Sequence, residues 1–109
     1  MVWLLPTIWW SVPELEKYTE REVASYGRSK GCMALKLTIW GRVGWPDYLF
    51  LYPIRRVLFI EFKREGKEPR KIQEYIGNKI RAMGFVVLVI DNIEDGKNGI
   101  DILTGENYK

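Results

Sequence analysis

The chain contains no histidine, a single cysteine and no apolar run long enough to cross a bilayer. Without an imidazole, a Ser-His-Asp triad, a Cys-His pair, a histidine-metal centre and a zinc finger built on histidine are all excluded. Any catalysis must therefore run on carboxylates, lysines and a bound metal. Cys32 alone rules out an intramolecular disulfide and fits a reducing, cytoplasmic compartment. Met1 to Trp10 is apolar, but Pro6 interrupts it, no basic stretch precedes it, and it falls far short of the ~20 residues of a spanning helix. It reads as a core strand or a dimer contact, because Trp3, Trp9 and Trp10 would otherwise form an exposed aromatic patch. Repeats, low-complexity tracts and internal linkers are missing too. The 109 residues read as one domain, 1–109, with an aromatic segment at 1–12 and a tail at 92–109.

What is present is unevenly spread. Net charge is +3, yet Arg28 to Arg81 holds 13 Lys/Arg against 5 Asp/Glu, and the flanks hold the remaining 4 against 9. A basic centre suits a polyanionic partner, although a solvated basic surface gives the same count. With 47% hydrophobic residues the chain can bury a core.

Pro13, with Ser11 nearby as a cap, opens a helical pattern that runs to about Tyr26, with Leu15, Tyr18, Val23 and Tyr26 on one side. Gly27 to Gly31 ends it. Met33, Leu35, Leu37 and Ile39 then alternate with Ala34, Lys36, Thr38 and Trp40, the pattern of a half-buried strand. Tyr48 to Tyr52 and Val57 to Lys63 follow as two strands, and Pro53-Ile-Arg-Arg56 between them is short enough to make an antiparallel hairpin. A second helix opens at Pro69, carries Ile72, Ile76, Ile80 and Met83 as its apolar stripe, and stops at Gly84. Phe85 to Ile90 is apolar on both faces, as expected of a buried strand returning parallel to Val57–Lys63 by a right-handed crossover. The predicted fold is α/β, in the order α-β-β-β-α-β, a mixed sheet with an antiparallel hairpin and a parallel crossover strand. Beyond Asp91 the run Glu94-Asp-Gly-Lys-Asn-Gly99 predicts a loop, with a short strand at Ile100 to Leu103.

Charges stand where these strands end. Residues two apart in a strand share a face, so Glu61 and Lys63 project together with Val57 and Phe59. That face turns from apolar to charged at the C-terminal end of its strand, where ligands of open α/β sheets sit. Antiparallel pairing brings Asp47, at the start of the preceding strand, beside Glu61. Two carboxylates this close repel each other unless a cation such as Mg²⁺ or Mn²⁺ sits between them, and Mg²⁺ suits one or two carboxylates, several waters and a substrate phosphate. A surface ion pair at a strand end, with Asp47 an ordinary turn residue, is the alternative. Gln73 lies with Ile76, Gly77 and Ile80 on the sheet-facing side of the second helix, where its amide must find a partner, unless it faces solvent at the helix boundary. Gly77 beneath it lets the helix approach closely. Arg42, in the loop entering the Asp47 strand, and Arg64, Lys67, Arg70 and Lys71, near the start of the second helix, are placed to hold a phosphate backbone. Lys36 is a further candidate for the lining of the site.

Pro46-Asp47, then Glu61-Phe62-Lys63, with Gln73 on the following helix, resembles the PD-(D/E)xK nuclease superfamily. More closely, Gly41-x-x-Gly44-x-Pro46-Asp47 followed by Phe59-Ile-Glu-Phe-Lys63, Gln73 and Gly84-Phe-x-Val87 is similar to the small virus-type replication–repair (VRR-NUC) nucleases of phages, over about Pro13 to Asp91. The resemblance implies a restriction-endonuclease-like core and hydrolysis of DNA phosphodiesters with Mg²⁺ or Mn²⁺, on branched DNA such as a four-way Holliday junction, in a phage-infected or bacterial cytoplasm. It implies that Asp47, Glu61 and the Phe62 carbonyl hold the metal. Lys63 would position or help deprotonate the attacking water and offset charge in the transition state, and Gln73 would orient water or Lys63. The family also places a glutamate on the first helix, where Glu14, Glu16, Glu20 and Glu22 all lie. Glu16, in Glu14-Leu-Glu16-Lys-Tyr18, is the choice as a further catalytic residue and metal ligand, with Glu20 one turn later as its competitor. A homodimer is expected, because one small site cuts one strand. The rival expectation is a module that keeps the fold and binds DNA without catalysis.

Overall fold

The computed structural model describes residues 12–64 and 66–108. The aromatic segment expected as a core strand or dimer contact lies outside the described residues. Among those residues, no helix is long and apolar enough to cross a membrane.

Helix α1 (Val12–Ser29) runs past the predicted stop and through Gly27. This glycine serves packing, because a Cβ there would lie 2.7 Å from the Phe50 ring. The chain turns back after Ser29, with the Cys32 N–H donating to the Gly27 carbonyl at 2.9 Å. Strand β1 (Met33–Lys36) is shorter than its alternating pattern and faces the other way. Ala34 is buried, whereas Met33 and Leu35 are 59% and 40% exposed. The reason is the neighbour: α1 packs directly on this strand, with Arg28 Nη2 donating to the Ala34 carbonyl, so the small side chain takes the inward position.

Strands β2 (Tyr48–Tyr52) and β3 (Arg56–Phe62) form the predicted antiparallel hairpin. Helix α2 (Lys71–Ala82) starts two residues after Pro69, and Gly84, at φ +96°, turns the chain into β4 (Val86–Ile90). Strand β4 pairs parallel to β3, giving the sheet order β1-β2-β3-β4. The order α-β-β-β-α-β therefore stands.

The tail is a correction. Residues Ile93–Thr104 form a third helix, α3, where loop and strand were predicted. Asn92 caps it by accepting from the Asp95 N–H at 2.8 Å. Its glycines are packing positions: a Cβ at Gly96 would stand 2.5 Å from Val23, and one at Gly99 2.7 Å from Leu88. Helices α1 and α3 pack together on one face of the sheet, enclosing Val23, Phe50, Ile60, Ile100 and Leu103. Burying a side chain such as Ile100 contributes about 1.5–3 kcal/mol. Helix α2 covers β4 on the opposite face, and the Met33–Leu35 side of β1 stays open.

Candidate active site

The hairpin register assembles the acids. Tyr48 pairs with Ile60, so Asp47, one residue before, comes level with Glu61. Asp47 is fixed from both sides: its Oδ2 accepts from the Phe62 N–H at 2.8 Å, and its carbonyl accepts from the Leu37 N–H at 2.8 Å. Gly44 makes the approach possible. It holds φ +89°, and a Cβ there would lie 2.7 Å from the Ile72 side chain and 2.9 Å from the Ile72 carbonyl, so only glycine lets the Pro46-Asp47 loop pass under the start of α2. Gly77 has no such role, because its Cβ would meet nothing nearer than 3.6 Å.

Glu61 is 4% exposed. Its Oε2 accepts from Gln73 Nε2 and lies 3.3 Å from Lys63 Nζ, while Oε1 is buried with no partner. Burial, followed by the neighbouring Asp47 carboxylate, pushes the Glu61 carboxyl up to about 7, against the opposing pull of Lys63 and Arg70. Asp47 is also raised, chiefly by burial and further by Glu20, although the Phe62 hydrogen bond and Lys36 and Lys63 oppose it.

Gln73 is the joint of the site. Its Oε1 accepts from Lys63 Nζ at 2.6 Å and from the Arg70 N–H at 2.9 Å, and its Nε2 donates to Glu61. One amide thereby aims the lysine, holds the carboxylate and satisfies the first turn of α2. Gln73 therefore faces the sheet, as its helical position predicts, with Lys63, Glu61 and the Arg70 N–H as its partners.

The first-helix glutamates separate. Glu16 lines a cleft of about 380 Å³ with Lys63, Arg64, Lys67 and Asp91. Glu20 is buried, with Lys36 Nζ 2.6 Å from its Oε1, and lies near enough to Asp47 to raise its pKa. Arg64 and Lys67 flank the cleft, Arg70 lines an adjoining opening, and Arg42 and Lys71 are exposed and bond to none of these groups. Asp91 was not foreseen. It follows β4, whose parallel pairing sets it beside the end of β3, and its Oδ2 accepts from the Gly66 N–H at 3.4 Å.

Among the described residues no three His, Cys, Asp or Glu side chains converge to enclose an ion. A buried and a half-buried carboxylate, Glu61 and Asp47, both with raised pKa values, and an oxygen lacking any protein partner still fit a divalent ion that keeps most of its ligands as waters and phosphate oxygens.

No family model matches the chain. Its sequence is 32% identical over 77 residues to "Putative nuclease p44" of Acyrthosiphon pisum secondary endosymbiont phage 1, covering 71% of this chain and 83% of that protein. Its structure superposes on a solved VRR_NUC domain with a TM-score of 0.74 at 25% identity, covering 80% of this chain and 95% of the other. With the Pro46-Asp47, Glu61-x-Lys63 and Gln73 elements gathered at one end of that shared fold, the chain belongs to the VRR-NUC family of PD-(D/E)xK nucleases.

Proposed function

We propose that the protein is a DNA endonuclease dependent on Mg²⁺ or Mn²⁺, acting on branched DNA as a homodimer. The observation that carries this reading is the buried, unpartnered Oε1 of Glu61 beside Asp47, with Lys63 held on the same face. Asp47, Glu61 and the Phe62 carbonyl are the residues to hold the ion, and a divalent cation bound there offsets the negative charge of the phosphate being cut.

The chain's own groups divide the remaining work. Lys63, aimed by Gln73, presents its ammonium to the attacking water or to a phosphate oxygen, where fixed positive charge stabilises the transition state. Glu16 lines the same cleft as Lys63 and is the first-helix acid to serve the ion or its waters. Arg64, Lys67 and Arg70 bind the flanking phosphates, with Arg42 and Lys71 as outlying contacts. The open Met33–Leu35 face supports a second copy as the partner, because exposed apolar area of this kind marks an interface.

Cleavage of four-way junction, flap, single-stranded and duplex DNA with Mn²⁺, by wild type beside Asp47→Asn and Lys63→Ala, tests the reading. The expected result is cutting by wild type and loss in both variants, with DNA binding kept by Asp47→Asn. Undiminished cutting by either variant overturns the residue roles. A gel shift by wild type without cutting on any substrate identifies a binding module instead.

A further inference from the structure

Glu20 poses a problem that the roles above leave unsolved. It is a buried carboxylate on the inward side of α1, and an ionised acid there requires a counter-charge. That charge comes from β1: Lys36 enters from the solvent side, its side chain 55% exposed, and sets Nζ 2.6 Å from Glu20 Oε1. The Tyr48 ring, with its centroid 5.5 Å from the same ammonium, fixes it further through a cation–π contact. Lys36 also attracts Asp47, so one ammonium acts on both acids.

We propose that Lys36, ion-paired with Glu20 and paired across the sheet with Tyr48, the residue after Asp47, is a built-in cation of the site that takes the place a second divalent ion would need, so that the protein binds one divalent ion, at Asp47 and Glu61. The inference rests on the metal-dependent reading above and specifies its stoichiometry. Charge balance favours it. Glu20, Asp47 and Glu61 set against Lys36 and Lys63 leave one negative charge, and a single divalent ion converts this to one positive charge, the match of one phosphodiester. A second divalent ion raises the balance to three positive charges, two in excess of that phosphodiester. The geometry agrees, since Glu20 is engaged by Lys36 and does not converge with Asp47 and Glu61 into a three-acid cluster. In this arrangement Lys36 is a positioning residue: it holds Glu20 and leaves the phosphate to Lys63.

The test is the number of Mn²⁺ ions bound at equilibrium without DNA, counted from the electron paramagnetic resonance signal of free Mn²⁺. Wild type is expected to bind one ion, Lys36→Arg one, and Lys36→Gln two. Adding Glu20→Gln to Lys36→Gln returns the count to one. Two ions on wild type overturn the inference while sparing the metal-dependent reading; none overturns both. One ion on Lys36→Gln with unchanged affinity also overturns it. Thermal unfolding verifies that each variant is folded, and if Lys36→Gln does not fold, the wild-type count of one against two decides.

Discussion

Replacing Glu61 by glutamine in the metal-free protein probes the electrostatics of the site without recourse to cleavage. The Glu61 carboxyl titrates near an ordinary 4.5 in the unfolded chain and at about 7 in the folded one. Between these values the folded chain retains a proton that the unfolded chain has released. Stability therefore falls as pH rises from about 5 through 7 and levels off above, by up to about 3 kcal/mol when ionisation is complete. Glutamine does not titrate, so the stability of Glu61→Gln relative to wild type should climb by that amount between about pH 5 and pH 8. The lost attraction to Lys63 lowers the variant, but the rise with pH remains. Urea unfolding of both proteins in EDTA at the two pH values reads the difference directly. A gap that stays constant or shrinks with rising pH refutes the description of Glu61 as a buried acid held against ionisation. Mn²⁺ should abolish the pH slope of wild type, because a bound ion stabilises the ionised form.

Ile100→Ala should destabilise the fold by about 2–5 kcal/mol in urea unfolding, whereas a loss below about 1 kcal/mol would place α3 outside the core. Gly44→Ala combines a strained φ with a backbone clash, so it should lower the midpoint of thermal unfolding and weaken Mn²⁺ binding together, since both depend on the loop that carries Asp47. Arg64→Ala and Lys67→Ala should each reduce the slope of log affinity against log salt by about 1 in DNA-binding titrations, with little change in thermal stability.

The hairpin and its charged end were legible in the sequence because two local signals agree: a short connection fixes antiparallel pairing, and the strand period then fixes which side chains meet. Asp47, Glu61 and Lys63 follow from those two facts, and Gln73 follows from the helical period. Helix α3 was not legible, because Gly96 and Gly99 look like breakers until the surfaces they touch are known. Both exist to let α3 lie against Val23 and Leu88, and tertiary packing overrides their poor helix propensity. The Asn92-x-x-Asp95 cap, with Ile93, Ile100 and Leu103 in helical step behind it, was the signal available. Strand β1 misled for a related reason. Its large residues alternate correctly, but the nearness of α1 selects the small residue for the inner face. The pairing of Glu20 with Lys36 joins an inner helix position to a strand 16 residues away, a contact that no period in the sequence encodes.

Arg56 opens β3 at the end opposite Glu61 and donates from Nη1 to the Leu103 and Gly105 carbonyls, with its guanidinium over the rings of Tyr52 and Tyr108. The last turn of α3 is thereby anchored about 20 Å, the length of β3, from the Glu61 end of the sheet. A fluorophore, affinity handle or surface tether attached at the exposed Glu106, just after α3, stands at the end of the sheet opposite Glu61, so single-molecule measurements can hold the protein there and leave the candidate site clear.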